Sequence, residues 1–205
     1  PAGTEAMQAG ARIPGMLPDL PPLPPPVLQS PLPYELLLEE RPRSQIDLVV
    51  IHCTELPDLA AARATGEQVL YDSGTGNSGH YYIDRDGSVH QYVRAERIAH
   101  HVRGYNQRSI GIELVNSGRY PDWLAAGSQS MQELYTEAQV VSLLTLLSVL
   151  QEELPELKFI AGHEDLDTTE VPASDDDGTL VHRKLDPGPL FPWNRVMQST
   201  NLQRL

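Results

Sequence analysis

Two short apolar runs in this chain each end in a histidine, and they constrain the fold more than any other feature. Residues 49–51 (VVI) lead to His52, and residues 160–162 (IAG) lead to His163. Continuous apolar runs of this length, without polar alternation, are typical of strands that are buried on both faces. We therefore expect two buried strands, each of which delivers a histidine to an edge of one sheet.

The remaining patterns alternate between strand and helix. The Asp86-Gly87 turn between two alternating runs indicates a β-hairpin, and Thr136 with Gln139 matches the pattern of a helix start. Strands are predicted over 46–51, 80–84, 88–93, 109–115 and 157–161, and helices over 57–70 and 136–153. This alternation predicts an α/β domain in which helices flank a mixed central β-sheet.

The N-terminal segment has a different composition from the rest of the chain. It holds many of the 18 prolines, including the run PPLPPP at residues 21–26. Neither a helix interior nor a central strand accommodates such a run. We expect residues 1–33 to form an extended, proline-rich arm and residues 34–200 to form the domain. A tether or strap is the preferred interpretation of the arm, and a recognition motif is the alternative.

Charge and cysteine content limit the partners of the protein. The net charge of −13 disfavours nucleic acid and anionic lipid as partners, because both attract cationic surfaces. No apolar run reaches the roughly 20 residues of a transmembrane helix, so no transmembrane segment is predicted. Cys53 is the only cysteine, which leaves no intrachain disulfide, and we expect it to be a small core residue.

A third segment adds an acidic side chain to the two histidines. Residues 183–189 (RKLDPGP) place Asp186 two residues after Lys184 and before a Pro-Gly-Pro turn. Two imidazoles and one carboxylate leave a fourth tetrahedral position open, which is typical of a catalytic zinc. Each histidine alone is more often an ordinary core or surface residue, so the prediction of a zinc hydrolase depends on the combination. His182 is a rival ligand.

Five segments of the chain, taken together and in this order, resemble the type-2 N-acetylmuramoyl-L-alanine amidases. They are residues 51–52 (IH), 78–87 (SGHYYIDRDG), 109–116 (SIGIELVN), 162–165 (GHED) and 183–189 (RKLDPGP). This family contains the AmpD- and AmiD-like zinc amidases and is related in fold to peptidoglycan recognition proteins. The resemblance implies hydrolysis of the amide bond between N-acetylmuramic acid and L-alanine in peptidoglycan or muropeptides, with Zn²⁺ as the cofactor.

The resemblance also implies roles for five residues of these segments. His52, His163 and Asp186 would be the zinc ligands. Glu113 would be the general base that takes a proton from the attacking water, and Lys184 would stabilise the oxyanion. Without the family, Glu113 between two apolar neighbours would be interpreted as an ordinary outward-facing strand residue.

Residues outside the proposed metal-binding and catalytic set also carry expectations. His101, with His100 beside it, falls in a segment that faces the substrate cleft in the family, so both are candidate substrate-binding residues. Gly79 stands where some relatives carry a tyrosine, and a glycine there fits the branch that uses the glutamate. His80 is expected to pack under the hairpin. Residues 166–181 are interpreted as an inserted polar loop.

Two function classes and two locations remain open at this point. A module of the same fold that binds peptidoglycan without cleaving it is the alternative to an enzyme, but such a module would lack a ligand or the base. The proline-rich start, the missing initial Met and the low cysteine content suggest an exported, periplasmic bacterial protein. A cytoplasmic location is the alternative, and the oligomeric state is not predicted.

Overall fold

The computed structural model describes residues 26–205. Most of the predicted arm, residues 1–25, therefore lies outside the described residues. Within the described part of the chain, no helix is both long and apolar enough to cross a membrane.

The described residues contain nine strands and four α-helices. The strands are β1 (Val27–Gln29), β2 (Leu48–Cys53), β3 (Tyr81–Ile83), β4 (Val89–Gln91), β5 (Ser109–Leu114), β6 (Phe159–Gly162), β7 (Glu170–Pro172), β8 (Leu180–His182) and β9 (Gln203–Arg204). The helices are α1 (Leu59–Gly66), α2 (Glu137–Glu153), α3 (His163–Leu166) and α4 (Trp193–Gln198).

Seven of these strands form one mixed sheet in the order β1-β4-β3-β5-β2-β6-β9. Only β3 and β4, the predicted hairpin, are antiparallel, and all other neighbours are parallel. The predicted α/β fold with a mixed central sheet and flanking helices is confirmed. β7 and β8 form a separate two-stranded hairpin.

The two faces of the central sheet pack against different groups. Leu143 of α2 lies in the same buried cluster as Ile51 of β2 and Ile112 of β5, so α2 covers this face. Val50, one position along β2, belongs to a smaller cluster with Val102 on the opposite face. This difference follows from the alternation of side chains along a strand.

The start of α2 follows the predicted capping pattern. The Thr136 hydroxyl accepts a hydrogen bond from the Gln139 amide at 3.1 Å, and the Gln139 side chain accepts one from the Thr136 amide at 3.0 Å. Each bond satisfies a backbone N–H group that the first turn of a helix leaves without a partner.

Two predicted boundaries need correction. β1 pairs with β4 and lies at the edge of the sheet, while Leu32 and Tyr34 are buried in the core. The arm therefore does not extend to residue 33, because residues 27–33 already contribute to the domain. The predicted loop at 166–181 overlaps the β7–β8 hairpin, in which four of the six side chains are exposed, so no buried strand pattern marks it in the sequence.

Candidate metal centre and active-site cleft

The register of the central strands brings three of the predicted site residues to one edge of the sheet. β5, β2 and β6 are parallel neighbours, so their carboxyl ends lie side by side, where open α/β sheets usually bind ligands. His52 is paired in register with Glu113, and His163 directly follows the last residue of β6. Alternation along β2 and β5 places His52 and Glu113 on the face opposite α2.

Asp186 joins the two histidines from the segment after β8. Its Oδ2 atom lies 2.8 Å from His52 Nδ1 and 3.2 Å from His163 Nδ1. One potential ligand atom from each of the three residues lies within 4.8 Å of the others, and all three side chains are buried. No other group of three such side chains meets this condition among residues 26–205.

The chemistry of these three side chains fits a zinc ion. Metal binding requires neutral imidazoles and an ionised carboxylate. Burial lowers the pKa of His52, the nearby Asp186 carboxylate partly opposes this effect, and His163 adds to it. Burial alone would raise the pKa of Asp186, but the two histidine rings outweigh it and hold that pKa below its usual range. Both shifts favour the forms that metal ligands need, a neutral His52 ring and an ionised Asp186 carboxylate.

Glu113 lies beside this cluster, with Oε1 4.0 Å from His52 Nδ1. Its side chain occupies space that Gly79 leaves open, since a Cβ atom at position 79 would come 2.9 Å from Glu113 Cγ. Burial raises the pKa of Glu113 well above its ordinary value, and Asp186 adds to this shift while Lys184 opposes it. The environment thus makes Glu113 a stronger base than an exposed glutamate.

The cluster and Glu113 line a cleft of about 370 Å³. Lys184 lines the same cleft, half-buried, so the structure brings all five predicted metal-binding and catalytic residues together. His100 also lines it and packs edge-on against Tyr71, with 5.2 Å between the ring centroids. His100 therefore lies at the cleft, and its contact with a substrate stays a prediction.

A buried ion pair holds the segment that carries Lys184. Arg119 Nε donates to Glu55 Oε1 at 2.8 Å, and the Arg119 side chain is 1% exposed. The same guanidinium donates to the carbonyl oxygens of His182 at 2.8 Å and of Arg183 at 3.3 Å. Arg119 therefore ties the chain immediately before Lys184 to the end of β2.

His101 differs from the prediction in the partners of its ring. Its Nδ1 atom lies 2.9 Å from His52 Nε2, and its Nε2 atom lies 3.1 Å from Ser109 Oγ. Both ring nitrogens thus have partners within the protein, although the ring also borders the cleft. The polar atoms of His101 contact a predicted zinc ligand and a buried serine, and its contact with a substrate stays a prediction.

Three other side chains named in the sequence analysis take no part in the metal-ligand cluster. His182 is exposed on β8 and lies outside the metal-ligand cluster. Cys53 is a buried free thiol whose pKa is raised by burial, which disfavours the nucleophilic thiolate. His80 is fully buried, as expected.

Sequence reasoning missed Glu55, Arg119 and Ser109. Glu55 follows β2 closely and adopts a positive φ of 50°, a conformation that is uncommon for residues other than glycine. Its partner Arg119 is 64 residues away, so no local pattern links the two. For Ser109, a signal was available, because Ser109, Gly111 and Glu113 alternate with isoleucines along β5 and so share one face.

A sequence profile of the family described as N-acetylmuramoyl-L-alanine amidase matches residues 42–189. An uncharacterized protein of Haemophilus influenzae is 36% identical over 124 residues, which are 58% of this chain and 97% of that protein. The 1,6-anhydro-N-acetylmuramyl-L-alanine amidase AmpD of the same organism is 30% identical over 132 residues, or 60% of this chain and 58% of AmpD.

A solved structure shows the same arrangement of the chain. The N-acetylmuramyl-L-alanine amidase AmiD from E. coli, determined with the substrate anhydro-N-acetylmuramic acid-L-Ala-D-gamma-Glu-L-Lys, superposes with a TM-score of 0.56 at 25% sequence identity. The superposition covers 76% of this chain and 57% of AmiD.

Proposed function

Because this chain belongs to the N-acetylmuramoyl-L-alanine amidase family, we propose that it is a zinc-dependent amidase. Its substrate is the amide bond between N-acetylmuramic acid and L-alanine in peptidoglycan or in muropeptides. His52, His163 and Asp186 hold the zinc ion, Glu113 is the general base, and Lys184 stabilises the oxyanion.

One observation carries this proposal. Three buried donor atoms converge at the carboxyl edge of the sheet, and Glu113 and Lys184 line the same cleft. Three protein ligands from two histidines and a carboxylate are typical of a zinc that keeps one position for a substrate or water. A structural zinc would use four protein ligands, and a module that only binds would not need a buried base.

Each residue of the cleft has a separate task in this proposal. When bound, zinc would polarise the scissile carbonyl and lower the pKa of a water molecule to about 7. Glu113 takes a proton from the attacking water and delivers it to the leaving nitrogen of the alanine. The Lys184 ammonium group pairs with the negative oxygen of the tetrahedral intermediate.

The relatives support the proposed substrate class. AmpD is named for a 1,6-anhydro-N-acetylmuramyl-L-alanine amidase activity. AmiD was solved with an anhydro-muropeptide. Both names refer to the bond between a muramic acid and L-alanine, and we propose that the present chain hydrolyses the same bond.

The direct test is product analysis with two substrates. Purified sacculi and soluble anhydro-muropeptides are digested separately, and mass spectrometry detects the peptide released with a free L-alanine amino group. We expect release by the zinc-loaded protein, loss of release after chelation, and recovery with added zinc. Release that persists after complete metal removal would contradict the zinc dependence.

Glu113→Gln separates the chemistry from the fold. This variant keeps the shape of the side chain but removes the base, so kcat should fall by roughly two to four orders of magnitude while zinc content persists. The exposed Glu152→Gln is the matched control and should keep the wild-type rate. If Glu113→Gln retained more than about a tenth of that rate, the base would be another residue. If the wild type bound peptidoglycan but released no peptide, the non-catalytic binding module would be favoured instead.

We further propose that the protein works outside the cytoplasm, where intact peptidoglycan is found. A preference for sacculi over soluble fragments in the product analysis would support this location. Fractionation of cells that produce the protein from its own gene tests it directly. Recovery of the protein in the cytoplasmic fraction would contradict it.

A further inference from the structure

We propose that His101 is a positioning residue that holds the His52 ring in the tautomer and orientation needed to bind a metal through Nδ1. The inference rests on the zinc site of the proposed function and assigns His101 a role different from substrate binding. It is carried by a chain of hydrogen bonds that ends on a backbone carbonyl.

The chain of hydrogen bonds runs away from the proposed zinc ligand. His52 Nε2 lies 2.9 Å from His101 Nδ1, and His101 Nε2 lies 3.1 Å from Ser109 Oγ. Ser109 Oγ in turn donates to the Tyr105 carbonyl oxygen at 2.8 Å. Ser109 is fully buried, so water does not compete for its hydroxyl group.

The hydrogen bond from Ser109 to the Tyr105 carbonyl determines which atom is the donor in each of the other two bonds. The single hydroxyl proton of Ser109 is used on the Tyr105 carbonyl, so Ser109 Oγ accepts from His101 Nε2–H. A neutral imidazole has one N–H group, and His101 Nδ1 is therefore an acceptor. It can accept only from Nε2–H of His52, which leaves the lone pair of His52 on Nδ1.

This tautomer explains why the site needs a cation. His52 Nδ1 and Asp186 Oδ2 are then both acceptors at a separation of 2.8 Å, and His163 Nδ1 lies 3.2 Å from the same oxygen. A metal ion held by all three residues would remove this repulsion. Partners that fix the tautomer and raise the basicity of a ligating histidine also increase metal affinity.

The surroundings of His101 fix its ring over β5. A Cβ atom at Gly111 would come 2.7 Å from His101 Nδ1, so the ring packs closely against a glycine. The Asn106 side chain accepts hydrogen bonds from the backbone amides of His101 at 3.0 Å and Val102 at 2.8 Å. The ring therefore has little freedom to turn toward a ligand in the cleft.

The test measures zinc affinity by competition with a chromogenic chelator. His101→Leu removes the acceptor at similar volume and should weaken zinc binding by about ten- to a hundredfold. His101→Asn places an amide oxygen near the position of Nδ1 and should restore most of the affinity. His90→Leu, on β4 and away from the cleft, is the control for loss of a histidine and should bind zinc like the wild type.

A second readout follows the hydrogen bond itself. Proton NMR of the zinc-loaded wild type should show a slowly exchanging ring N–H proton of His52, which His101→Leu loses and His101→Asn keeps. If His101→Leu does not fold, Ser109→Ala breaks the chain one bond further away and should weaken zinc binding measurably. Wild-type affinity and an unchanged N–H signal in these variants would overturn the positioning role.

The two proposals fail in different ways. A wild-type protein that binds no zinc would contradict the proposed function. A wild type that binds zinc tightly, with His101→Leu binding equally well, would contradict only the role of His101. Activity is not needed for either conclusion.

Discussion

The cleft has two halves that hold their functional side chains by different means. In the strand half, His52 and Glu113 lie on adjacent parallel strands in register, and His163 follows a third. In the loop half, Lys184 and Asp186 come after the β7–β8 hairpin, outside the central sheet. Both halves border the same cleft.

The forces that position the two halves differ accordingly. The strand half depends on a continuous ladder of backbone hydrogen bonds and on the packing of buried side chains. The loop half depends on a few side chains, chiefly the guanidinium of Arg119 on the carbonyls of His182 and Arg183. Asp167 adds an ion pair with the Arg183 side chain. Single substitutions should therefore misplace the loop half more easily than the strand half.

The largest expected effect comes from removing one proposed metal ligand from each half. His52→Ala and Asp186→Ala should each lose zinc and all detectable turnover, because two remaining ligands bind the ion poorly. Metal analysis of the purified variants measures the zinc content. His182→Ala is the control, and it should keep its zinc because its side chain is exposed. Zinc retained in Asp186→Ala but lost in His182→Ala would reverse the assignment in the loop half.

The next effect isolates the chemistry of the loop half. Lys184→Met should lower kcat by roughly two to three orders of magnitude, because it removes the proposed oxyanion donor. Zinc content and KM should change little, since Lys184 is not a ligand. Lys158→Met, an exposed substitution, serves as the matched control in the same steady-state assay. An equal loss in both variants would argue against the proposed role.

A smaller effect tests whether a buried ion pair supports the loop half. Arg119→Leu leaves the Glu55 carboxylate buried without its partner and should lower the free energy of unfolding by about 3–5 kcal/mol. Denaturant unfolding measures this change. The double variant Arg119→Leu with Glu55→Leu should be less destabilised than Arg119→Leu alone, because no unpaired charge remains. Equal stability of the single variant and the wild type would show that backbone contacts suffice in this half.

The smallest effect concerns the N-terminal residues, which belong to neither half. Deleting residues 1–25 should leave the rate on soluble muropeptides within about twofold, since all proposed site residues lie beyond them. Deleting residues 1–33 should lower the thermal midpoint clearly, because it removes β1 and the buried side chain of Leu32. Loss of soluble-substrate activity in the shorter deletion would contradict the interpretation of residues 1–25 as a tether.

The strand half was largely predictable from sequence. Apolar runs ending at His52 and His163 indicated buried strands, and the Asp86-Gly87 turn indicated the hairpin between β3 and β4. The capping pattern at Thr136 predicted the start of α2. These patterns work because each arises within a few residues, where backbone geometry determines which side chains share a face.

The edges of the domain were less predictable. β1 has only three residues, all exposed, so its apolar content does not distinguish it from a proline-rich arm. It becomes a strand because the edge of β4 offers free backbone groups. The β7–β8 hairpin was missed for a similar reason, since Val181 is the only buried residue of its two strands.

The amino-acid sequence by itself determined which side chains are available for metal binding and on which face of β2 and β5 they lie. Only the tertiary structure decided how they are supported. The contact of His52 with His101, the chain through Ser109, and the Arg119–Glu55 pair all join distant residues. The physical reason is that local periodicity sets the direction of a side chain, whereas its hydrogen-bond partners depend on how separate strands and loops pack in three dimensions.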